Sequence, residues 1–229
     1  MSTQILADSS QAVFRHSVRL QQSILAGMEK RCLHATAERL PPWVNSDHLT
    51  ILGFIAQLLT GFSYAMAERD RLWLMAAIAF LVLNWFGDSM DGTLARVRQK
   101  QRPRYGFYVD HMLDSVGAVA LMAGLGCSGF MSPWIAVGLL VAFLLLSIQS
   151  YLAAYTLGEF RMSFWSFGPT ELRLSLIIGN LALFRWPKVL GGYRLFDIGG
   201  VAGIVGMCAM LVWFTAGNIA CLYREERLS

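Results

Sequence analysis

Asp88-Ser89-Met90-Asp91-Gly92-Thr93-Leu94-Ala95-Arg96, then nine residues, then Gly106-Phe107-Tyr108-Val109-Asp110-His111-Met112-Leu113-Asp114: this stretch sets four carboxylates at the junction of two strongly apolar runs. Asp88 and Asp91 are three apart, so on a helix they share one face, which Gly92 and Ala95 continue. Asp110 and Asp114 are four apart, with Gly106 one turn earlier on the same stripe. Two helices joined by a short basic hairpin would therefore point four carboxylates at one another. At about 5 Å and an effective dielectric of about 20, each like-charged pair repels by roughly 3 kcal/mol. A carboxylate at membrane depth costs a further ~2.5–3.5 kcal/mol on insertion scales. One or two divalent cations with oxygen ligands resolve that conflict, Mg²⁺ being the first expectation.

The pattern D-x-x-D-G-x-x-A-R, eight or nine residues, G-x-x-x-D-x-x-x-D also resembles the signature of the CDP-alcohol phosphotransferase (CDP-alcohol phosphatidyltransferase) family. Asp88, Asp91, Gly92, Ala95, Arg96, Gly106, Asp110 and Asp114 fill every fixed position of it within residues 88–114. The resemblance implies an all-α integral-membrane enzyme of six transmembrane helices that makes phospholipid. It moves a phosphatidyl or phosphoalcohol group from a CDP-linked donor to a hydroxyl and releases CMP.

Composition points to a membrane independently of that resemblance. The chain is 55% hydrophobic and only 15% charged over 229 residues, with a positive mean hydropathy, a balance that soluble domains of this length rarely have. The net charge of +4 is modest and uneven, which points to topology and anionic lipid rather than nucleic acid. Cys32, Cys127, Cys208 and Cys221 are scattered without a C-x-x-C pair and read as buried packing residues. No cleavable signal peptide is expected, because charges run through the first 40 residues.

In chain order, residues 1–45 read as an N-terminal cytoplasmic or interfacial segment, and 46–229 as the six-helix membrane domain. From about 10 to 38, Val13, Leu20, Ile24 and Leu25 recur at helical spacing among Arg15, Arg19, Lys30 and Arg31. This predicts an amphipathic helix on the membrane surface, with a loosely ordered basic tail as the rival reading, stopped by Leu40-Pro41-Pro42-Trp43. The first span is expected at about 48–67. Its opening, Ser46-Asp47-His48-Leu49-Thr50, is similar in part to the P-N-x-L-T entry of many family members, with Ser46-Asp47 in place of Pro-Asn. On that partial match Leu49 and Thr50 take no catalytic role. Further spans are expected at about 72–98, 107–127, 134–156, 169–184 and 198–223. The hairpin 97–105 holds Arg98, Lys100, Arg102 and Arg104, so the positive-inside rule makes it cytoplasmic. Six spans then put the motif and both termini on that same side, in a multi-pass protein expected in a bacterial inner membrane. Gly199, Gly203 and Gly206 form a small-residue pattern suited to close helix approach, first of all within one subunit. The homodimer expected here comes from the resemblance, not from that pattern.

Asp88, Asp91 and Asp110 are the expected metal ligands, for Mg²⁺ or Mn²⁺ and for two ions rather than one. Two cations bridged by carboxylates clamp the attacking and leaving oxygens of a phosphoryl transfer. The resemblance assigns Asp114 as the base that takes the acceptor's proton, and leaves it free to touch a metal as well. It also assigns Gly92, Ala95, Arg96 and Gly106 to the CDP moiety. Asp91-Gly92 has a rival reading as an ordinary helix-end dipeptide, and Arg96 one as an interfacial anchor. His111 after Asp110 is similar to the choline/ethanolamine phosphotransferase branch, and a histidine at an interface also needs no function. Glu171 and Arg173, opening the fifth span, are candidates for the acceptor or nucleotide pocket or a self-contained interfacial pair. Arg161, Arg173 and the hairpin bases are candidates for an acceptor phosphate.

The expected reaction is divalent-metal-dependent transfer of a phosphatidyl group from CDP-diacylglycerol to a small alcohol acceptor. Transfer from a CDP-alcohol to diacylglycerol would use the same eight residues and is the alternative. A divalent-cation transporter would need its carboxylates near the midplane and open to both sides; here all four cluster at one end, beside basic residues that repel entering cations. A catalytically silent protein of the same fold is the third reading, and the intact motif argues against it.

Overall fold

The computed structural model describes residues 18–20, 26–161, 169–186, 188–189 and 192–227. Seven helices account for most of them: α1 (Ala26–Arg39), α2 (Ser46–Ala67), α3 (Trp73–Val97), α4 (Pro103–Cys127), α5 (Pro133–Thr156), α6 (Pro169–Arg185) and α7 (Leu195–Glu225). The boundaries follow local chemistry. Asn45 caps α2, its side chain accepting from the His48 amide while His48 reaches back to the Asn45 amide, a reciprocal cap. Proline stands in the first turn of both α4 and α5, where its missing N–H costs nothing. The turn between α3 and α4 includes Gln99 at φ 54°.

The all-α class holds, with two ladders too short to form a layer. Strand β1 (Val18–Leu20) pairs in parallel with β2 (Glu159–Arg161), and β3 (Lys188–Val189) pairs antiparallel with β4 (Tyr193–Arg194). The first of these corrects the N-terminal expectation. Residues 18–20 were expected within a surface helix, yet their backbone bonds to the segment after α5, and the helix starts only at Ala26. Its inward residues Leu33 and Ala37 are buried with Leu49, Met90 and Leu94, so the apolar stripe of α1 turns towards α3. The remainder of the expected helix, residues 10–17 and 21–25, lies outside the described residues.

Among the described residues, four helices, α2, α3, α5 and α7, are long and apolar enough to cross a membrane. The two other expected spans differ for visible reasons. α4 has 25 residues but carries Arg104, Asp110, His111 and Asp114 in its first half. α6 has 17 residues, about 26 Å at 1.5 Å per residue. Outward faces of α5 and α7 are apolar, with Val141, Leu145, Ile148, Val205, Val212 and Trp213 exposed, as lipid contact requires.

α2 is the spine. It packs extensively on α3 and on α4, whereas α3 and α4 make at most marginal contact with each other. Glycines set both distances. A Cβ at Gly87 would come within 2.6 Å of the Gly53 nitrogen, and one at Gly124 within 1.9 Å of the Gly61 carbonyl oxygen, so both seams require bare backbone. The main core, with Tyr64, Leu74, Leu125, Leu183 and Phe196, lies beyond the carboxylates from the hairpin. Of the glycines expected to let helices close on α7, Gly203 meets only Leu139, while Gly199 and Gly206 face open space. Gly200, which meets Ile135 at 2.5 Å, makes the close contact with α5 instead.

These seams generate a paired prediction. Alanine favours a helix over glycine by about 1 kcal/mol, yet Gly124→Ala is expected to lower the apparent Tm in detergent by several degrees, because overpacking costs roughly 1–3 kcal/mol. Gly206→Ala, with nothing within 4 Å of its Cβ, is expected to leave Tm unchanged or raise it. Equal responses of the two variants in a thermal melt would contradict the α2–α4 seam.

Candidate active site

Asp88 and Asp91 leave α3 on the side that faces α4, and Asp110 and Asp114 leave α4 facing back. Counting 1.5 Å per residue from the hairpin, Asp88 and Asp114 sit about 14–17 Å along their helices. Because the two motif helices are held apart by α2, the carboxylates face each other across a cleft rather than along a packed seam. The cleft is lined by Thr50, Gly53, Phe54 and Gln57 of α2, Asn84, Asp88 and Asp91 of α3, and Asp110, Leu113 and Asp114 of α4.

Three of the four carboxylates converge: oxygens of Asp88, Asp110 and Asp114 lie within 4.8 Å of one another. At that separation each ionised pair repels by about 3 kcal/mol or more at an effective dielectric of ~20. Asp91 lines the same cleft but is not in the tight group. Its Oδ2 accepts the Thr50 hydroxyl at 2.6 Å, and its carbonyl accepts the Ser46 hydroxyl at 2.8 Å. Both donors come from the first turns of α2, so that helix fixes the orientation of Asp91. An all-carboxylate oxygen set of this kind suits hard divalent cations.

Arg173 supplies positive charge. It crosses from the first turn of α6 and donates from Nη2 to Asp88 Oδ2 at 2.6 Å and from Nε to Asn84 Oδ1 at 2.7 Å. Only 13% of its side chain is exposed, so the pair is shielded from solvent more than a surface bridge is. Arg173 thus bonds two residues that line the cleft. Glu171 is in the same turn of α6, and its carbonyl accepts from Ser175.

The other expected residues are less tightly gathered. Gly92, Ala95 and Arg96 continue α3 towards the hairpin, outside the lining of the cleft. The Arg96 guanidinium lies over Gly92, 3.4 Å from where a Cβ would stand, and donates to Thr93 Oγ1 at 3.0 Å. Gly106 opens onto free space at the start of α4. His111 is stacked on Phe107 at 4.2 Å with Tyr151 edge-on at 5.0 Å, and its Nδ1 lies 2.6 Å from the Phe107 carbonyl oxygen. That environment anchors the ring beside Asp110. Arg161 is in β2, and its side chain lies outside the described residues.

Arg98 and Arg102 of the hairpin are engaged by the protein itself. Arg98 donates to the carbonyls of Leu40 at 3.0 Å and Pro41 at 2.9 Å and also to Val44, tying the end of α3 to the connector before α2. Arg102 pairs with Asp47 and stacks 4.2 Å over Tyr105. Sequence reasoning passed over Gln57 and Asn84 and gave Thr50 no role. For Asn84 a signal existed, since a lone amide inside an apolar run one turn before Asp88 needs a partner.

Comparison with known proteins agrees with this geometry. No curated protein matches the chain. The family model for CDP-alcohol phosphatidyltransferase matches residues 43–216, from the connector before α2 into α7. Its members transfer phospholipid head groups from CDP-linked substrates and use divalent metal ions, the ions that the carboxylate cluster is chemically suited to hold. With most of its length matched and the carboxylates gathered at one cleft, the chain belongs to the CDP-alcohol phosphatidyltransferase family, a family of transferases of substituted phosphate groups.

Proposed function

We propose that this protein transfers a phosphatidyl group from CDP-diacylglycerol to a hydroxyl of a small alcohol, releasing CMP. The observation that carries the reading is the convergence of Asp88, Asp110 and Asp114 within 4.8 Å, beside Asp91 and the Arg173 guanidinium. Asp88, Asp91 and Asp110, with Asp114 in reach, hold Mg²⁺ or Mn²⁺, as two ions. When bound, the cations neutralise the diphosphate of the donor.

The residues of the chain divide the remaining work. Asp114 takes the proton of the acceptor hydroxyl. The acceptor oxygen bonds to the phosphorus that carries diacylglycerol, the bond from that phosphorus to the bridging oxygen breaks, and CMP leaves with the electron pair. Gly92, Ala95 and Gly106 offer the nucleotide bare or nearly bare helix surface, and Arg96 a phosphate partner. Arg173 and Glu171 border the pocket where the donor diphosphate and the acceptor meet, with His111 and Arg161 on the acceptor side.

The same reading gives topology. α4 and α6 join α2, α3, α5 and α7 as spans, making six in a membrane domain of residues 46–229, with 1–45 as the cytoplasmic segment. Arg98, Lys100, Arg102 and Arg104 in the hairpin support, by the positive-inside rule, a cleft and both termini on the cytoplasmic side of a bacterial inner membrane. A homodimer is the proposed assembly.

Two measurements test the chemistry. Purified protein with Mg²⁺ and CDP-diacylglycerol is expected to release CMP with one alcohol of a panel. Asp114→Asn should lower the rate by about 10³-fold, near the middle of the range typical of general-base catalysis, and EDTA should abolish it. CMP release only from CDP-choline or CDP-ethanolamine with diacylglycerol would reverse the donor assignment. Thr50→Val, which removes a hydrogen bond worth about 1.5–3 kcal/mol to a charged acceptor, is expected to raise the Mn²⁺ concentration for half-maximal activity tenfold or more. Unchanged Mn²⁺ dependence would remove Asp91 from the ligand set.

A further inference from the structure

Asn84 is a polar residue in the apolar run of α3, only 5% exposed and one turn before Asp88. A buried amide needs partners at both ends. It finds them on two other helices: Nδ2 donates to the Gly53 carbonyl of α2 at 2.9 Å, and Oδ1 accepts from Arg173 Nε of α6 at 2.7 Å. Those partners dictate the residue type. A guanidinium only donates and a backbone carbonyl only accepts, so the side chain between them must accept at one end and donate at the other. Aspartate would set oxygen against the Gly53 oxygen, and leucine would answer neither partner.

The geometry reaches the cleft through Arg173. Held by Asp88 alone, at 2.6 Å through Nη2, the guanidinium would pivot about one contact. The Asn84 bond takes Nε on the same edge, and two contacts along one edge fix the plane of the group. Asn84 and Asp88 are four apart on one helix face, so a single stripe of α3 engages that whole edge. α6 packs chiefly on α3, and the Arg173 bonds tie it to the cleft.

Resting on the reading above as a CDP-linked transferase, we propose that Asn84 is a positioning residue. It holds Arg173 in the plane in which the guanidinium meets the diphosphate of the donor, and so makes α6 part of the nucleotide-binding wall. Asn84 itself does not touch substrate.

The test is a double-mutant cycle read by calorimetric binding of CDP in the presence of Mn²⁺, on the full chain in detergent. Asn84→Leu and Arg173→Gln are each expected to weaken CDP about tenfold, the scale of one charge-assisted bond to phosphate. The double variant is expected to bind no more weakly than the weaker single variant, because Asn84 acts only through Arg173. Losses that multiply, or Asn84→Leu binding like the unaltered protein, overturn the proposal. Arg173→Lys serves if Asn84→Leu does not fold: it keeps the charge but cannot engage Asn84 and Asp88 along one planar edge, and is expected to lose affinity about as far as Arg173→Gln. Undiminished CDP affinity in Arg173→Lys overturns the two-point hold. Absence of CDP binding by the unaltered protein is a separate result, which overturns the functional reading and the positioning role with it.

Discussion

Like charges held close inside an apolar bundle are the constraint on which this structure depends. Asp88, Asp110 and Asp114 come within 4.8 Å of one another, where their mutual repulsion opposes folding by several kcal/mol. Nothing in the hydrophobic effect calls for that arrangement. It persists because surrounding elements oppose the repulsion: the Arg173 guanidinium on Asp88 and the packing of α2 against both motif helices. Residual negative charge is what fits the cleft for divalent cations, and so for a diphosphate.

α2 carries no residue of the aspartate motif, yet it determines the shape of the cleft. Its Gly53 and Gly61 meet Gly87 of α3 and Gly124 of α4 at backbone contact, and with α2 between them the motif helices stand apart. A direct α3–α4 seam would leave less room for a nucleotide between the carboxylates. The residues α2 contributes, Thr50, Gly53, Phe54 and Gln57, form one wall of the cleft. α1 and the connector after it support the same region, through Leu33 and Ala37 beneath Leu94 and through the carbonyls that receive Arg98.

Much of this was legible in the sequence because the signals were local. Asp88, Asp91, Asp110 and Asp114 announced their faces by spacing, and the helix limits followed Pro103, Pro133 and Pro169 within a few residues. The parallel pairing of 18–20 with 159–161 was not legible, since such pairing depends on segments far apart in the chain. For the same reason the readings of Arg173 stayed open: its partners Asn84 and Asp88 are 89 and 85 residues away. Thr50 was read as a partial motif match without a role, and its contact with Asp91 arises only when α2 and α3 are packed. Of the α7 glycines, spacing picked out Gly203, which meets Leu139, but it does not say which face a neighbour covers. Gly200 rather than Gly199 meets α5.

The central claim is that the gathered aspartates form a divalent-metal site. Anomalous diffraction at the manganese edge, from crystals of the full chain grown with Mn²⁺ and CDP, tests it most directly. The account predicts two peaks about 3.5–4 Å apart, the spacing of two-metal phosphoryl-transfer sites, bounded by Asp88, Asp91, Asp110 and Asp114. A map with bound CDP and no anomalous density among these four carboxylates would contradict it.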